Sequence, residues 1–311
     1  MSTQVPRLLA GLVDDAAVFP PGSATLPDAV AGHRRHRTRW YADLVGPLLL
    51  PATALTDLAG LLAPDERIEV GVIADVPLDR LDAALAGVDP RVTVRQVEAA
   101  VGRRSEDPQP GLAELLAFAA RHDGLAVHAE IPLTFGLMGA LDTLAETRSV
   151  QPPPVQSASG SSVAQSSGPR TGAAHRGLPV AAKFRTGGLA AELFPTPTEL
   201  AAVICACRDR GLAFKLTAGL HHAVRHRDPE TGFTHHGFGN VLAAVLAADG
   251  GADVSRVAAL LATTDPVPLV EPARAARDRV RPLWVGYGSC SILEPLTDLI
   301  RLGLVNGGYD V

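Results

Sequence analysis

The chain has 311 residues, of which 47% are hydrophobic and 20% are charged, and its formal net charge is −5. This composition is typical of a protein with a large buried core, and the acidic balance argues against a nucleic-acid or anionic-membrane surface. We expect a cytoplasmic protein, because no apolar run reaches membrane-spanning length and the N-terminus lacks a signal-peptide pattern. The three cysteines indicate neither a disulfide framework nor a zinc site.

Short apolar runs alternate with stretches rich in Ala and Leu, a pattern that predicts strands separated by helices. We predict eight strands, at 8–13, 46–51, 68–74, 92–100, 125–133, 178–184, 212–218 and 282–288. The predicted helices cover 53–63, 77–87, 110–122, 133–147, 196–210, 237–249, 253–263 and 291–303. The segment TPTE at 196–199 is typical of a helix start, because it combines a Thr cap, Pro at the first helical position and Glu at the third.

Strands that alternate with helices pair in parallel through helical crossovers. Eight such units predict an α/β protein with a (β/α)8 TIM-barrel fold, in a single domain over residues 1–311. An open doubly wound sheet is the alternative, but its nucleotide-binding version lacks a GxGxxG or Walker A motif. Residues 149–177 are rich in Ser, Pro, Gly and Gln, so we expect a flexible, disordered insertion between strands five and six.

Polar side chains recur at the ends of the predicted strands, where a TIM barrel carries its active site. Such groups are costly to bury unless they are paired or used. They are Asp14 and Asp15 in strand one, Arg95, Gln96 and Glu98 in strand four, His128 and Glu130 in strand five, Lys183, Arg185 and Thr186 in strand six, Lys215, Thr217, His221 and His222 in strand seven, and GYGSCS at 286–291 in strand eight.

Only two of the 28 lysine and arginine residues are lysines, and both fall at matching positions of strands six and seven. An amine can lose its proton and attack a carbonyl carbon, whereas a guanidinium cannot. Burial and a second ammonium group nearby favour the neutral amine, so Lys183 or Lys215 could form a Schiff base with an aldehyde or ketone. The alternative is that the lysines only form ion pairs with carboxylates such as Glu98 or Glu130.

The segment KFRTG at 183–187 resembles the K-x-x-T-G motif in strand six of the deoxyribose-phosphate aldolase family. The segment KLTAGL at 215–220 resembles the K-x-x-G-G-I motif of its strand seven, with Ala in place of the first Gly. The segments at 15–21, 127–130 and 288–291 are similar to its first strand, fifth strand and phosphate loop. Strand four differs, because it offers Glu98 where the family carries Asp, and the segment after strand seven is longer.

The resemblance implies a class I aldolase that works without a metal or other cofactor. Lys183 would form the Schiff base and Lys215 would lower its pKa, while Asp15, Glu98 and Glu130 would move protons. The candidate substrate-binding residues are Arg185, Thr186, Gly219, His221, His222, Gly288, Ser289 and Ser291.

Five of the ten histidines fall between His221 and His236. They could form a metal site, an anion-binding or acid–base site with Arg225 and Arg227, or a polar loop that caps neighbouring elements. The turn sequence DPETG within the segment predicts a hairpin-like lid over the barrel mouth. In the GYGSCS segment, backbone N–H groups could bind phosphate, or a serine could cap the following helix. The basic stretch 33–39 predicts a solvated helix face or an oligomer contact.

The leading hypothesis is therefore a carbon–carbon lyase that acts on a small aldehyde or ketone, with or without a phosphate group. The second is a metal-dependent hydrolase or lyase centred on the histidine segment 221–236. The third is a non-catalytic barrel that binds a sugar phosphate or a protein partner. We expect neither a nucleic-acid nor a membrane partner, and a homo-oligomer is compatible with the sequence.

Overall fold

The computed structural model describes residues 5–150 and 180–307. The strands are β1 (Val13–Asp15), β2 (Val45–Pro51), β3 (Ile68–Ile73), β4 (Val92–Ala100), β5 (Ala126–Glu130), β6 (Val180–Arg185), β7 (Phe214–Thr217), β8 (His226–Arg227), β9 (Thr234–His235) and β10 (Trp284–Ser289). The helices are α1 (Leu26–Arg37), α2 (Leu55–Leu58), α3 (Leu78–Ala86), α4 (Gln109–Ala119), α5 (Leu137–Val150), α6 (Pro197–Asp209), α7 (Phe238–Asp249), α8 (Val254–Ala262), α9 (Val267–Ala275) and α10 (Leu293–Arg301).

Eight strands close into a barrel in the order β1-β10-β7-β6-β5-β4-β3-β2, and all neighbouring pairs are parallel. The strands β8 and β9 form a separate antiparallel hairpin between β7 and α7. Helices alternate with the barrel strands along the chain, so the predicted (β/α)8 TIM-barrel fold is confirmed. The predicted insertion at 149–177 lies outside the described residues, apart from its first two residues, which end α5.

The first strand begins later than predicted. Residues Arg7–Leu9 form a short 3-10 helix in which Leu8 and Leu9 are buried, and β1 starts only at Val13. The predicted strand at 8–13 is therefore wrong, because a buried helical turn and a buried strand leave the same short apolar run.

Within the described residues, no helix combines the length and the apolar character needed to cross a membrane.

Two helices also differ from the prediction. The predicted helix at 53–63 is broken into the four-residue α2 and flanking 3-10 turns. Helix α9 was not predicted, because Pro268 and Pro272 obscure its pattern; it forms with Pro268 in the first turn, where no N–H donor is needed. The capping signal before α6 is confirmed, since Thr196 and Glu199 form a reciprocal capping box.

The strand register positions the two lysines. Lys183 is the direct partner of Lys215 across the β6–β7 pair and of Glu130 across the β5–β6 pair. Side chains alternate between the two faces of a strand, so the buried Phe184 faces the surrounding helices while Lys183 faces the barrel interior. The register therefore brings charged groups together inside the barrel near the carboxyl ends of its strands.

Candidate active site

Glu98 on β4 contacts both lysines across the interior of the barrel. Its Oε2 atom lies 2.7 Å from Lys183 Nζ, and its Oε1 atom lies 2.6 Å from Lys215 Nζ. Strand β4 is adjacent to neither β6 nor β7, so these contacts pass through the barrel interior rather than along the sheet. The three side chains are between 1% and 3% exposed, and one buried carboxylate therefore links both ammonium groups.

Asp14 and Gln96 complete the surroundings of Lys215. Lys215 Nζ donates to Asp14 Oδ2, and Gln96 Nε2 donates to the same Asp14 oxygen at 2.7 Å. Gln96 also lies 3.2 Å from Glu98 Oε1, so its amide holds both carboxylates. Lys215 is thus enclosed between two buried carboxylates.

Glu130 connects Lys183 to the outside of the barrel. Its Oε2 atom lies 2.7 Å from Lys183 Nζ, and its Oε1 atom accepts hydrogen bonds from Arg185 Nε at 3.1 Å and Nη2 at 2.9 Å. The Arg185 side chain is 43% exposed, whereas that of Lys183 is 3% exposed. The charged network therefore runs from the closed interior to the surface through Glu130.

Glycines on the neighbouring strands leave space for this network. A Cβ atom on Gly46 of β2 would overlap Asp14 Oδ1, and one on Gly71 of β3 would lie 2.8 Å from Gln96 Nε2. Side chains at these positions would displace the polar groups they meet. Gly46 and Gly71 are therefore part of the architecture of the site.

The surrounding carboxylates set the charge of both lysines. Burial acts to lower the pKa of Lys183, but Glu98 and Glu130 together raise this pKa above its ordinary value. Burial likewise opposes the charge of Lys215, yet Asp14 and Glu98 raise its pKa. The net shift of the Lys183 pKa is therefore upward, and not downward as the role expected for Lys215 would require, because direct carboxylate contacts outweigh burial. Both amines are ammonium ions at neutral pH.

The three carboxylates respond differently to the same surroundings. Burial opposes ionisation of Glu98, but Lys183 and Lys215 hold its pKa well below the usual range. The pKa of Glu130 is also lowered, because Lys183 and Arg185 outweigh the effect of burial. Burial and the nearby charge of Glu98 raise the pKa of Asp14. Asp14 is thus the carboxylate of this cluster that most readily takes up a proton.

A cavity of about 190 Å³ lies at the carboxyl ends of β4, β5 and β6. Glu130 and Arg185 line it, as does Arg104 from the loop after β4. The apolar part of its wall includes Ile131, Pro132, Leu133, Leu193 and Pro195. Since Glu130 also contacts Lys183, this cavity adjoins the buried network.

The structure corrects the choice between the two aspartates of the first strand. Asp15 was expected to act with the lysines, but its Oδ2 atom lies 3.1 Å from His33 Nδ1 on α1. Asp14 occupies the place in the network instead. Successive residues of a strand point to opposite faces, so only one of the two can reach the barrel interior.

Thr186 and Gly219 hold the backbone near the site rather than line the cavity. Thr186 is fully buried, and its hydroxyl donates to the Ala218 carbonyl at 2.6 Å and the Thr217 carbonyl at 3.2 Å. Ala218 and Gly219 have φ values of +64° and +78°, which an alanine adopts only at a cost in energy. The Thr186 hydroxyl therefore braces a strained turn after β7.

The residues expected to bind phosphate are engaged locally. The Ser289 hydroxyl donates to the Ser291 carbonyl at 2.8 Å, and Ser291 Oγ accepts from the Glu294 backbone N–H at 3.2 Å. Gly288 is a barrel residue, paired with Asp14 and Thr217. Ser291 thus binds the first turn of α10 from the residue before its N-cap, Ile292, which is close to the capping alternative for the loop.

The histidines of segment 221–236 contact separate partners, which are either carboxylates or backbone carbonyls. His221 and His222 face the carboxylates of Glu294 at 3.1 Å and Asp298 at 3.2 Å. His235 lies 3.1 Å from the Gly219 carbonyl. Neither His221 nor His222 joins the lysine network. Among the described residues, no three or more His, Cys, Asp or Glu side chains are arranged to hold a metal ion.

The predicted hairpin within this segment is present, since His226 pairs with His235 across β8 and β9. The next residue, His236, is fully buried, and burial lowers its pKa to about 4. Its neutral ring suits both contacts, because Nε2 donates to the Pro195 carbonyl at 2.8 Å and Nδ1 accepts from Arg225 at 3.3 Å. His236 therefore ties the hairpin to the loop after β6.

The structure thus brings five of the predicted residues into one network, namely Lys183, Lys215, Glu98, Glu130 and Arg185. It adds Asp14 and Gln96 to the network and Arg104 to the adjoining cavity. Strand alternation places Asp14 and Asp15 on opposite faces, but it does not say which face is the interior, because all three residues of β1 are buried. No sequence signal places Arg104, because it lies on a loop.

Searches for similar proteins found no matching family model, no matching curated protein and no matching solved structure.

Proposed function

We propose that this chain is a carbon–carbon lyase that forms a Schiff base between Lys183 and a small aldehyde or ketone. The observation that carries the proposal is the position of Lys183. Its amine is held between Glu98 and Glu130, and Glu130 also lines the cavity. Lys215 contacts only Asp14 and Glu98 among the carboxylates described, and neither lines the cavity, so Lys183 is the better nucleophile.

Lys183 must lose a proton before it can attack a carbonyl carbon, since its pKa is raised by the adjacent carboxylates. Glu130 is the proposed acceptor, because its Oε2 atom lies 2.7 Å from Nζ and its side chain reaches the cavity. Glu98 stays ionised in this scheme, because Lys215 continues to hold its other oxygen. Proton transfer over a single hydrogen bond is the geometry that general acid–base catalysis requires.

The free amine then adds to the carbonyl carbon, so that a C–N bond forms and the carbonyl oxygen takes up a proton. Loss of this oxygen as water leaves an iminium ion. The iminium accepts the electron pair of the breaking C–C bond, while a carboxylate takes the proton of the departing hydroxyl group, which becomes a carbonyl. Protonation of the resulting enamine and hydrolysis release the second product and return the amine.

Asp14 and Lys215 support this chemistry without lining the cavity. The raised pKa of Asp14 allows it to take up a proton while Glu98 remains charged. Lys215 supplies the positive charge that keeps Glu98 ionised and oriented towards Lys183. We assign Lys215 as a positioning residue, because it acts through Glu98 and Asp14.

Reductive trapping tests the proposal. The protein is incubated with a panel of small aldehydes and ketones, reduced with borohydride, digested and mapped by mass spectrometry. Because the chain has two lysines, an adduct can reside only on Lys183, Lys215 or the terminal amine. We expect it on Lys183 and expect its loss in Lys183→Met, with folding verified by circular dichroism.

A non-catalytic barrel is the competing function, and the ion pairs of both lysines are also what a purely structural role requires. In that case charge alone matters, and Lys183→Arg retains ligand binding and cellular function. No adduct on Lys183 across the panel, or an adduct on Lys215 alone, overturns the lyase proposal.

A further inference from the structure

The cavity beside Lys183 contains two guanidinium groups that are open to a ligand. Arg185 donates two hydrogen bonds to Glu130, and its side chain is 43% exposed. Arg104 donates to the backbone carbonyl of Glu192, and no carboxylate among the described residues lies within ion-pair distance of it. Guanidinium groups bind carboxylates and phosphates through paired hydrogen bonds.

The spacing of Lys183 and Arg185 defines the shape of the ligand. The two residues bind opposite oxygens of the same carboxylate, Glu130, so a single carboxylate bridges their nitrogens. A substrate that is bound covalently by Lys183 and ionically by Arg185 must therefore carry its anionic group close to the reacting carbonyl carbon. An oxo acid, in which a carboxylate is one or two bonds from the carbonyl group, meets this requirement.

We infer that the substrate is a small oxo acid whose carboxylate takes the place of Glu130 on Arg185 and is also bound by Arg104. This inference rests on the proposed function, because it names the substrate class of the same site.

Proton transfer from Lys183 to Glu130 makes this exchange possible. Glu130 is neutral after the transfer, so Arg185 loses its charged partner and can bind the incoming carboxylate. The other two carboxylates of the cavity form no ion pair with either arginine: the charge of Arg104 acts on Glu199 only from a distance, and the Glu199 carboxylate accepts from the backbone and hydroxyl of Thr196, at 2.7 and 2.8 Å. Glu192 meets Arg104 only through its backbone carbonyl. Binding of an oxo acid therefore favours the state in which the Lys183 amine is neutral.

The loop after β10 is a poor alternative for the anion. Glu294 lies in the first turn of α10 and the hydroxyls of Ser289 and Ser291 are engaged within the turn. A carboxylate at a helix N-terminus competes with an anionic ligand. The positive charge available to a substrate therefore lies at Arg104 and Arg185, on the other side of the lysine pair.

Trapping rates with matched carbonyl compounds test the inference on the full chain. Glyoxylate and glycolaldehyde are both two-carbon aldehydes, but only glyoxylate carries a carboxylate. Each rate of adduct formation on Lys183 is divided by the rate with free Nα-acetyl-lysine, which removes the difference in intrinsic reactivity. We expect a normalised preference for glyoxylate of about tenfold or more, as for a charge-assisted hydrogen-bonded pair.

Arginine variants locate this preference. Arg185→Gln should bring the normalised ratio of glyoxylate to glycolaldehyde trapping close to one. Arg104→Gln should reduce this ratio at least threefold, which is roughly half the effect of a charged pair on a free-energy scale. Arg103→Gln is the matched control, because Arg103 is exposed, adjacent in sequence and absent from the cavity wall, so the ratio should not change. Acetate should also slow the trapping of glycolaldehyde in the unmodified chain, whereas acetamide at the same concentration should not.

The outcomes separate the two proposals. If no carbonyl compound labels Lys183, the proposed function fails. If glyoxylate and glycolaldehyde label Lys183 at equal normalised rates, if Arg185→Gln leaves the ratio unchanged, or if glycolaldehyde phosphate is trapped faster than glyoxylate, the oxo-acid inference fails while the lyase proposal stands. Should Arg185→Gln fail to fold, the competition by acetate in the unmodified chain decides the inference.

Discussion

Lys183 and Lys215 are direct register partners on neighbouring strands, yet their ammonium groups bind opposite oxygens of one carboxylate. Two like charges this close would favour loss of a proton from one of them. Glu98 removes this repulsion, and Glu130 and Asp14 add further negative charge at either end. The protonation of the pair is therefore controlled by the carboxylates, and a change in any one of them should alter it.

Replacing Glu98 by Gln tests the shared carboxylate. The substitution keeps the shape of the side chain but leaves two buried ammonium groups without their common counter-ion. We expect the free energy of unfolding, measured by urea denaturation, to fall by about 3 kcal/mol or more, as when one partner of a buried ion pair is removed.

The control for this variant is Glu69→Gln on the neighbouring strand β3. Glu69 also pairs with a cation, Arg95, but its side chain is 41% exposed. Exposed pairs contribute less than about 1 kcal/mol, so the loss should be correspondingly small. Equal losses in the two variants would contradict the role of Glu98 as a buried bridge.

A second prediction concerns the pH dependence of Lys183. Glu130 raises the pKa of Lys183, so Glu130→Gln should lower it and increase the fraction of neutral amine at a given pH. The rate of carbamylation of Lys183 by cyanate, followed by mass spectrometry, increases with pH as the amine loses its proton. In Glu130→Gln this increase should begin at a lower pH than in the unmodified chain. Glu192→Gln is the control, because Glu192 lines the cavity without contacting the lysine. The pH dependence of Lys183 carbamylation should be unchanged in this variant. A shift towards higher pH would contradict the assigned electrostatics.

The sequence predicted the barrel and most of the network for a simple physical reason. Alternating apolar runs and helical stretches specify parallel strands, and charged side chains such as Lys183 and Glu98 within those runs mark the barrel interior. The choice of Asp15 followed the resemblance of segment 15–21 to the first strand of the aldolase family, and it failed because the register of β1 turns Asp14 to the barrel interior. The Arg104 position depends on the path of a loop, which the sequence pattern does not specify.

A third prediction uses the space left by Gly46. A Cβ atom there would overlap Asp14 Oδ1, so Gly46→Ala should push the Asp14 carboxylate away from Lys215. We expect a loss of about 1–3 kcal/mol in the free energy of unfolding and a lower rate of trapping on Lys183. Gly60→Ala is the matched control, because nothing lies within 4 Å of the added atom, and it should change neither quantity.

The last prediction separates a substrate contact from a structural brace at Thr186, which the sequence suggested as a substrate-binding residue. Thr186→Val keeps the shape of the side chain but removes the hydroxyl that donates to the Ala218 carbonyl, 2.6 Å away. Because the residue is fully buried, we expect the free energy of unfolding to fall by about 1–3 kcal/mol. The exposed Thr38→Val, which also loses a hydrogen bond to a backbone carbonyl, should cost less than about 0.5 kcal/mol because water replaces the hydroxyl. A Thr186→Val protein of unchanged stability but weakened carbonyl binding would instead place the hydroxyl in contact with the substrate.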